Sequence, residues 1–147
     1  MIIGSTGFEN EGYIPSKYTC DGEGEVPTIT VLEPPEETKS FVLIVEDPDA
    51  PAGLWIHWMV WNIRPSGNIT SKSSIESSVV GKNSSGNREW DPICPPNGEH
   101  RYFFKIYALD KMIDTDPEKT TIQILEGVIE KHIIGYAELV GRYKREF

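Results

Sequence analysis

SFVLIVEDPDAPAGLWIHWMVWNI, residues 40–63, is the stretch on which the fold turns. Phe41 to Val45 and Trp58 to Trp61 are nearly continuous apolar runs rich in β-branched and aromatic residues, the pattern of central strands covered on both faces. Between them Asp47, Pro48 and Pro51 make a stiff corner, because proline fixes φ and ends a ladder. Two strands, Ser40 to Glu46 and Ile56 to Ile63, are therefore expected to meet at a rigid turn. Similar runs bounded by Gly, Pro and Asp add strands over Thr28 to Leu32 and Arg101 to Leu109.

Toward the C-terminus, Asp116-Pro117-Glu118 reads as a helix start, since proline suits the first helical position and acidic side chains suit the N-terminal dipole. Ile122, Leu125, Val128 and Ile129 then form one apolar stripe on a helix ending near Lys131 and His132, which packs on the sheet. The alternation from Ala137 to Lys144 reads as a final strand. Asn68 to Asn87, rich in serine and threonine, reads as a polar surface loop. With no repeat and no long linker in 147 residues, the expectation is one domain over 1–147, mainly β with a late helix.

The chain carries 23 acidic against 14 basic side chains, a net charge of −9. Such a surface repels phosphate backbones and anionic headgroups, which argues against nucleic acid and against electrostatic docking on membranes. No apolar run approaches the roughly 18 residues of a membrane span. The opening MIIGSTGFENEGYIPSKYTCDG lacks a basic stretch followed by a long apolar segment, so the expected location is the cytoplasm. Cys20 and Cys94 match no metal-ligand spacing. A single bridge between them stays open, but in a reducing compartment two free thiols are favoured over a bond.

Two segments concentrate residues with chemistry. At 46–62 a carboxylate, Asp47, ends one strand and an imidazole, His57, starts the next, so the two are expected to pair across the corner and fix the imidazole tautomer. At 90–110 a proline-rich loop through Cys94, Pro95 and Pro96 feeds a strand on which His100 and Tyr102 share a face by the period of two. Loop amides, two imidazoles and a phenol hydroxyl are all hydrogen-bond donors suited to a small anion. Each feature also has a plainer reading. Asp47 can merely start an Asx-turn before Pro48, either histidine alone can be a satisfied core residue, and the tryptophans can be core. His132 suits a helix C-terminus, and Cys94 lacks the cationic neighbours of a reactive thiolate.

DPDAP at 47–51, the His57-Trp58 pair and CPPNGEHRYFFKIYALD at 94–110 resemble the phosphatidylethanolamine-binding protein family. IPSKYTCDG at 14–22 and HIIGYAELVGRY at 132–143 are similar to its short bacterial and archaeal branch, so the resemblance covers nearly the whole chain. It implies a β-sandwich of a large and a small antiparallel sheet with a C-terminal helix, and an anion pocket at the end of the large sheet. The pocket residues it implies are Asp47, Pro51, Trp55, His57, Cys94, Pro95, His100 and Tyr102. No catalytic residue, metal or cofactor is implied.

One departure stands out. Before the CPP loop, where the family usually carries glycines that let the backbone approach the anion, this chain has Glu89, Trp90, Asp91, Pro92 and Ile93. Asp91 adds negative charge and Pro92 removes an amide donor, which implies weaker anion binding or a different ligand. The leading expectation is a non-enzymatic protein that binds a small anion or phosphorylated small molecule, with a regulatory role and affinity rising as the pocket histidines gain charge below about pH 6.5. The alternatives are an inhibitor with a serine protease or kinase as partner, and a small acid/base or metal-dependent enzyme. The sequence leaves a homodimer open.

Overall fold

The apolar runs on either side of the Asp47–Pro51 corner lie side by side in the middle of a five-stranded antiparallel sheet. In the computed structural model, which describes residues 1–146, the elements are β1 (Ile2–Ser5), β2 (Ile29–Leu32), β3 (Ser40–Asp47), β4 (Trp55–Ile63), α1 (Lys72–Glu76), β5 (Val79–Val80), β6 (Glu99–Leu109), α2 (Ile122–Ile129) and β7 (Ile133–Lys144). The large sheet runs β5-β4-β3-β6-β7, and β1 pairs with β2 in a separate two-stranded sheet. Every residue of β3 is buried.

Alternation along β3 divides its side chains between two cores. Phe41, Leu43 and Val45 face a cluster that includes Ile29 and Val31 of the small sheet, with Phe8, Ile14 and Tyr18 from the N-terminal segment. Val42 and Ile44 face the opposite way, into a cluster closed by Leu125 and Ile129 of α2. This explains the continuous apolar sequence: a strand sandwiched between layers has no solvent face on which to place polar residues. The expected fold class is what forms, a sandwich of a large and a small antiparallel sheet with a C-terminal helix.

Several expectations are corrected. Asp116-Pro117-Glu118 does not start the helix. The Asp116 carbonyl accepts hydrogen bonds from the amides of Lys119 and Thr120, closing a turn, and the N-cap is Thr121, whose side chain accepts from the Ile124 amide. Asp-Pro-Glu opens turns as readily as helices, so the motif alone did not discriminate. The stretch 68–87 is not all loop, since it contains α1, capped by Ser71, and the edge strand β5. β7 begins at Ile133 rather than Ala137, directly after α2 and a short 3-10 turn. β1 was not anticipated. Its four residues pair with β2 in the small sheet, a pairing that local pattern does not announce.

Cys20 and Cys94 are not free thiols. They form a disulfide with a Cα–Cα separation of 5.4 Å, across 74 residues of chain. The expectation of two thiols rested on compartment alone. It is the backbone that brings them together, through a parallel bridge between Thr19 and Ile93 and a hydrogen bond from the Cys20 amide to the Ile93 carbonyl, 2.9 Å. Among the described residues no helix is long and apolar enough to cross a membrane.

Candidate functional site

A break in strand pairing positions the first histidine. Val45 lies opposite Trp58 and Glu46 opposite Ile56, so β4 has one residue more than β3 at this point, and that residue is His57. Such a bulge turns two successive side chains toward the same layer. Accordingly, Trp58 meets Trp90 with ring centroids 5.6 Å apart, and His57 meets Tyr102 edge-on at 5.4 Å. β6 brings the second histidine. His100 and Tyr102 share its inner face with rings 6.4 Å apart and nearly parallel, so Tyr102 stands between the two imidazoles.

The anticipated pairing of Asp47 with His57 does not occur. Asp47 accepts from His100 Nδ1 at 2.6 Å, a buried contact across neighbouring strands, and its other oxygen accepts from the Asp49 amide at 2.8 Å. The Asx-turn reading of Asp47 is therefore what forms, while its second oxygen engages His100 in place of His57. His57 Nδ1 instead meets the Asp91 carbonyl at 2.6 Å, while the Asp91 amide donates to the His57 carbonyl at 3.1 Å. Asp47 lies opposite Trp55 in the register, which leaves its free flank to β6. A carbonyl only accepts, so Nδ1 of His57 carries the hydrogen and Nε2 is the nitrogen left for a guest.

Asp47, Pro51, Trp55, His57, Cys94 and Tyr102 line one cavity of about 430 Å³ at the end of the large sheet. The two remaining expected residues lie elsewhere. His100 sits behind Asp47, and Pro95 is buried while its neighbour Pro96 takes the place on the wall. Ala50, Ala52, Ser85, Asp91 and Pro92 complete the lining. Asp91 had been flagged only as a charge near the site, yet it is part of the wall. Its carboxylate accepts from Trp55 Nε1 at 3.1 Å and Ser85 Oγ at 3.0 Å, both on one oxygen. Ser85 was missed because it lies in the stretch read as surface loop.

Asp49 and Arg101 were also missed. The Arg101 guanidinium and amide make three contacts of 2.9 Å with the Asp49 carboxylate. This clamp holds the proline corner against the start of β6, joining the two motif segments, and the adjacent Arg101 holds the Asp49 carboxyl down at about 2. Their signal was in the sequence, one residue inside each motif.

Electrostatically the cavity is unusual for an anion site. No lysine or arginine lines it, and two carboxylates do. Burial is the main influence on His57 and lowers its pKa against the pull of Asp91, so the ring rests neutral at pH 7. Burial also pushes Tyr102 well above its ordinary value, with the nearby charge of Asp47 adding to the effect. The Tyr102 hydroxyl is fully buried and has no well-formed hydrogen bond within the protein, although the Asp47 carboxylate is close enough to act on it. An orphaned donor of this kind is costly to the folded chain and valuable to a guest that accepts from it. Among the described residues no three His, Cys, Asp or Glu side chains are grouped as a metal site needs.

Comparison with known proteins agrees with this architecture. The profile of the family described as phosphatidylethanolamine-binding protein matches residues 4–144. A relative from Methanothermobacter thermautotrophicus, named only as a UPF0098 protein, is 41% identical over 99% of both chains. The UPF0098 protein of Chlamydia trachomatis serovar D is 40% identical, over 99% of this chain and all of its own. Among solved structures, a phosphatidylethanolamine-binding protein homologue from Chlamydia trachomatis superposes with a TM-score of 0.91 at 41% identity, over 98% of this chain and 97% of that one. Escherichia coli YbcL, described as a member of the mammalian family, gives a TM-score of 0.85 at 26% identity over 98% of both.

Proposed function

From the premise that this chain belongs to the phosphatidylethanolamine-binding protein family, we propose that it binds a small phosphoryl-bearing molecule in the cavity beneath Tyr102, without turning it over. The observation that carries this reading is the buried Tyr102 hydroxyl, which makes no well-formed hydrogen bond in the protein and belongs to a ring packed edge-on against His57. A phosphoryl oxygen accepts from the hydroxyl. His57, neutral in the empty site, takes up a proton at Nε2 as the guest enters and becomes a second donor.

Asp91 decides which phosphoryl compounds fit. A dianion would face the Asp91 carboxylate with no fixed cation in the wall to offset it. A monoanion, or a zwitterion whose ammonium end rests on Asp91, avoids that conflict. Chemistry on the guest is disfavoured by the engagement of each candidate group. Ser85 gives its hydrogen to a carboxylate, Cys94 is bonded to Cys20, and Asp47 is held by His100 and by the Asp49 amide. A site whose serine, cysteine and Asp47 are all engaged is suited to binding a guest rather than attacking it.

Isothermal titration with phosphoethanolamine, glycerol phosphate and inorganic phosphate tests the reading. The zwitterion binds best, and His57→Ala or Tyr102→Phe weakens it about tenfold or more, the loss expected for one hydrogen bond to a charged group. Unchanged affinity in both variants would place the guest elsewhere.

A further inference from the structure

The disulfide and the cavity share a residue, and that coincidence has a consequence for control of the site. Cys94 lines the cavity and is followed by Pro96, also on its wall. Upstream, the wall is firmly tied: Asp91 exchanges hydrogen bonds with His57, and Ile93 is completely buried. Downstream, pairing resumes at Glu99, opposite Lys144. Between them, residues 94–98 make no hydrogen bond with any described residue. What holds this span, beyond its two ends and the packing of buried Pro95, is the bond to Cys20. Both cysteine residues are exposed, which places the bridge at the surface of the protein. The partner segment is itself anchored, since the Cys20 amide donates to Ile93 and Gly24 packs tightly on Pro92.

We propose that the Cys20–Cys94 bridge is a redox gate on the cavity: oxidised, it fixes the 94–98 wall for a guest, and reduced, it frees that wall and lowers affinity. The proposal rests on the binding role argued above. The reductant is a dithiol, either a small protein carrying two vicinal cysteines or dithiothreitol in the test. One of its thiolates attacks a bridge sulfur, the S–S bond breaks and a mixed disulfide forms. Its second thiol then displaces the protein sulfur. Two electrons pass to the bridge, the two protons of the dithiol end on Cys20 and Cys94, and the reductant leaves as a disulfide. A wall that must be re-ordered around each guest opposes binding through its conformational entropy, so affinity falls about tenfold or more.

The experiment titrates phosphoethanolamine into oxidised protein, into protein reduced until two thiols react with a thiol-specific dye, and into Cys20→Ser. The gate requires that the second and third bind about tenfold more weakly with unchanged circular dichroism, and that reoxidation by oxidised glutathione restores the wild type alone. Equal affinity with both thiols titrating overturns it. So does global unfolding on reduction, which would make the bridge a staple of the whole fold. If the oxidised protein does not take up phosphoethanolamine, the binding role fails, and the gate is then judged by 15N relaxation at Cys94, Asn97 and Gly98. Greater fast motion on reduction upholds release of the wall, and unchanged relaxation refutes it.

Discussion

Tyr102 and His57 carry opposite burdens in the empty protein. The tyrosine hydroxyl is buried without a well-formed hydrogen bond, so Tyr102→Phe should leave stability unchanged or raise it by about 1 kcal/mol in urea unfolding, while weakening phosphoethanolamine in titration. For His57 the sign runs the other way from a histidine that gains a carboxylate. Burial lowers its pKa in the folded state, so below about pH 6.5 the unfolded chain binds the proton more readily than the folded one. The stability His57 contributes is therefore full above about pH 6.5 and falls as pH drops toward its folded value. Unfolding measured from pH 5 to 8 should show a steeper decline for the wild type than for His57→Gln. A guest reverses this preference, and binding heats in buffers of different ionisation enthalpy should reveal proton uptake that His57→Gln lacks. At this scale the sequence was legible in its residue types: Asp47, His57 and Tyr102 line one cavity, and His100 stands behind Asp47. Their partners were not, because Asp47 prefers His100 through strand adjacency that period-two alternation cannot see.

Among the elements, the strands dense in β-branched and aromatic residues were readable to within a residue or two, and α2 was recognisable from its apolar stripe. The bulge at His57 was not readable, because it exists only in the pairing of β3 with β4. α1 and β5 escaped for another reason: five and two residues are too few for a period to emerge from a serine-rich background. The true helix start is testable. Thr121→Ala should cost about 1 kcal/mol through loss of the cap, whereas Asp116→Ala should leave the helix intact by amide exchange. β7 offers a sharper case at Gly141, where an added Cβ would lie 2.5 Å from Ile14 and 2.8 Å from Phe8. Gly141→Ala should therefore cost about 1–3 kcal/mol by overpacking, seen as a lower midpoint in denaturant with an unchanged slope.

Across the whole molecule, the N-terminal segment is tied to the loop that feeds β6 by a bond spanning 74 residues. Constraining so long a loop stabilises the fold by about 4 kcal/mol in the chain-entropy account. Cys20→Ser should thus melt roughly 8–16 °C below the oxidised protein by calorimetry, yet remain folded at room temperature. The architecture was legible because β3 carries the unbroken apolar run Phe41 to Val45, which only a layered fold accommodates, whereas the bridge depended on two loops meeting in space. The placement of the four tryptophans adds a practical consequence. Trp58 and Trp61 are buried and Trp90 nearly so, while Trp55 stands half-exposed in the cavity wall with its indole N–H on Asp91. The red edge of the intrinsic ultraviolet emission therefore comes from one indole, and occupancy of the pocket registers as a spectral shift without any attached dye.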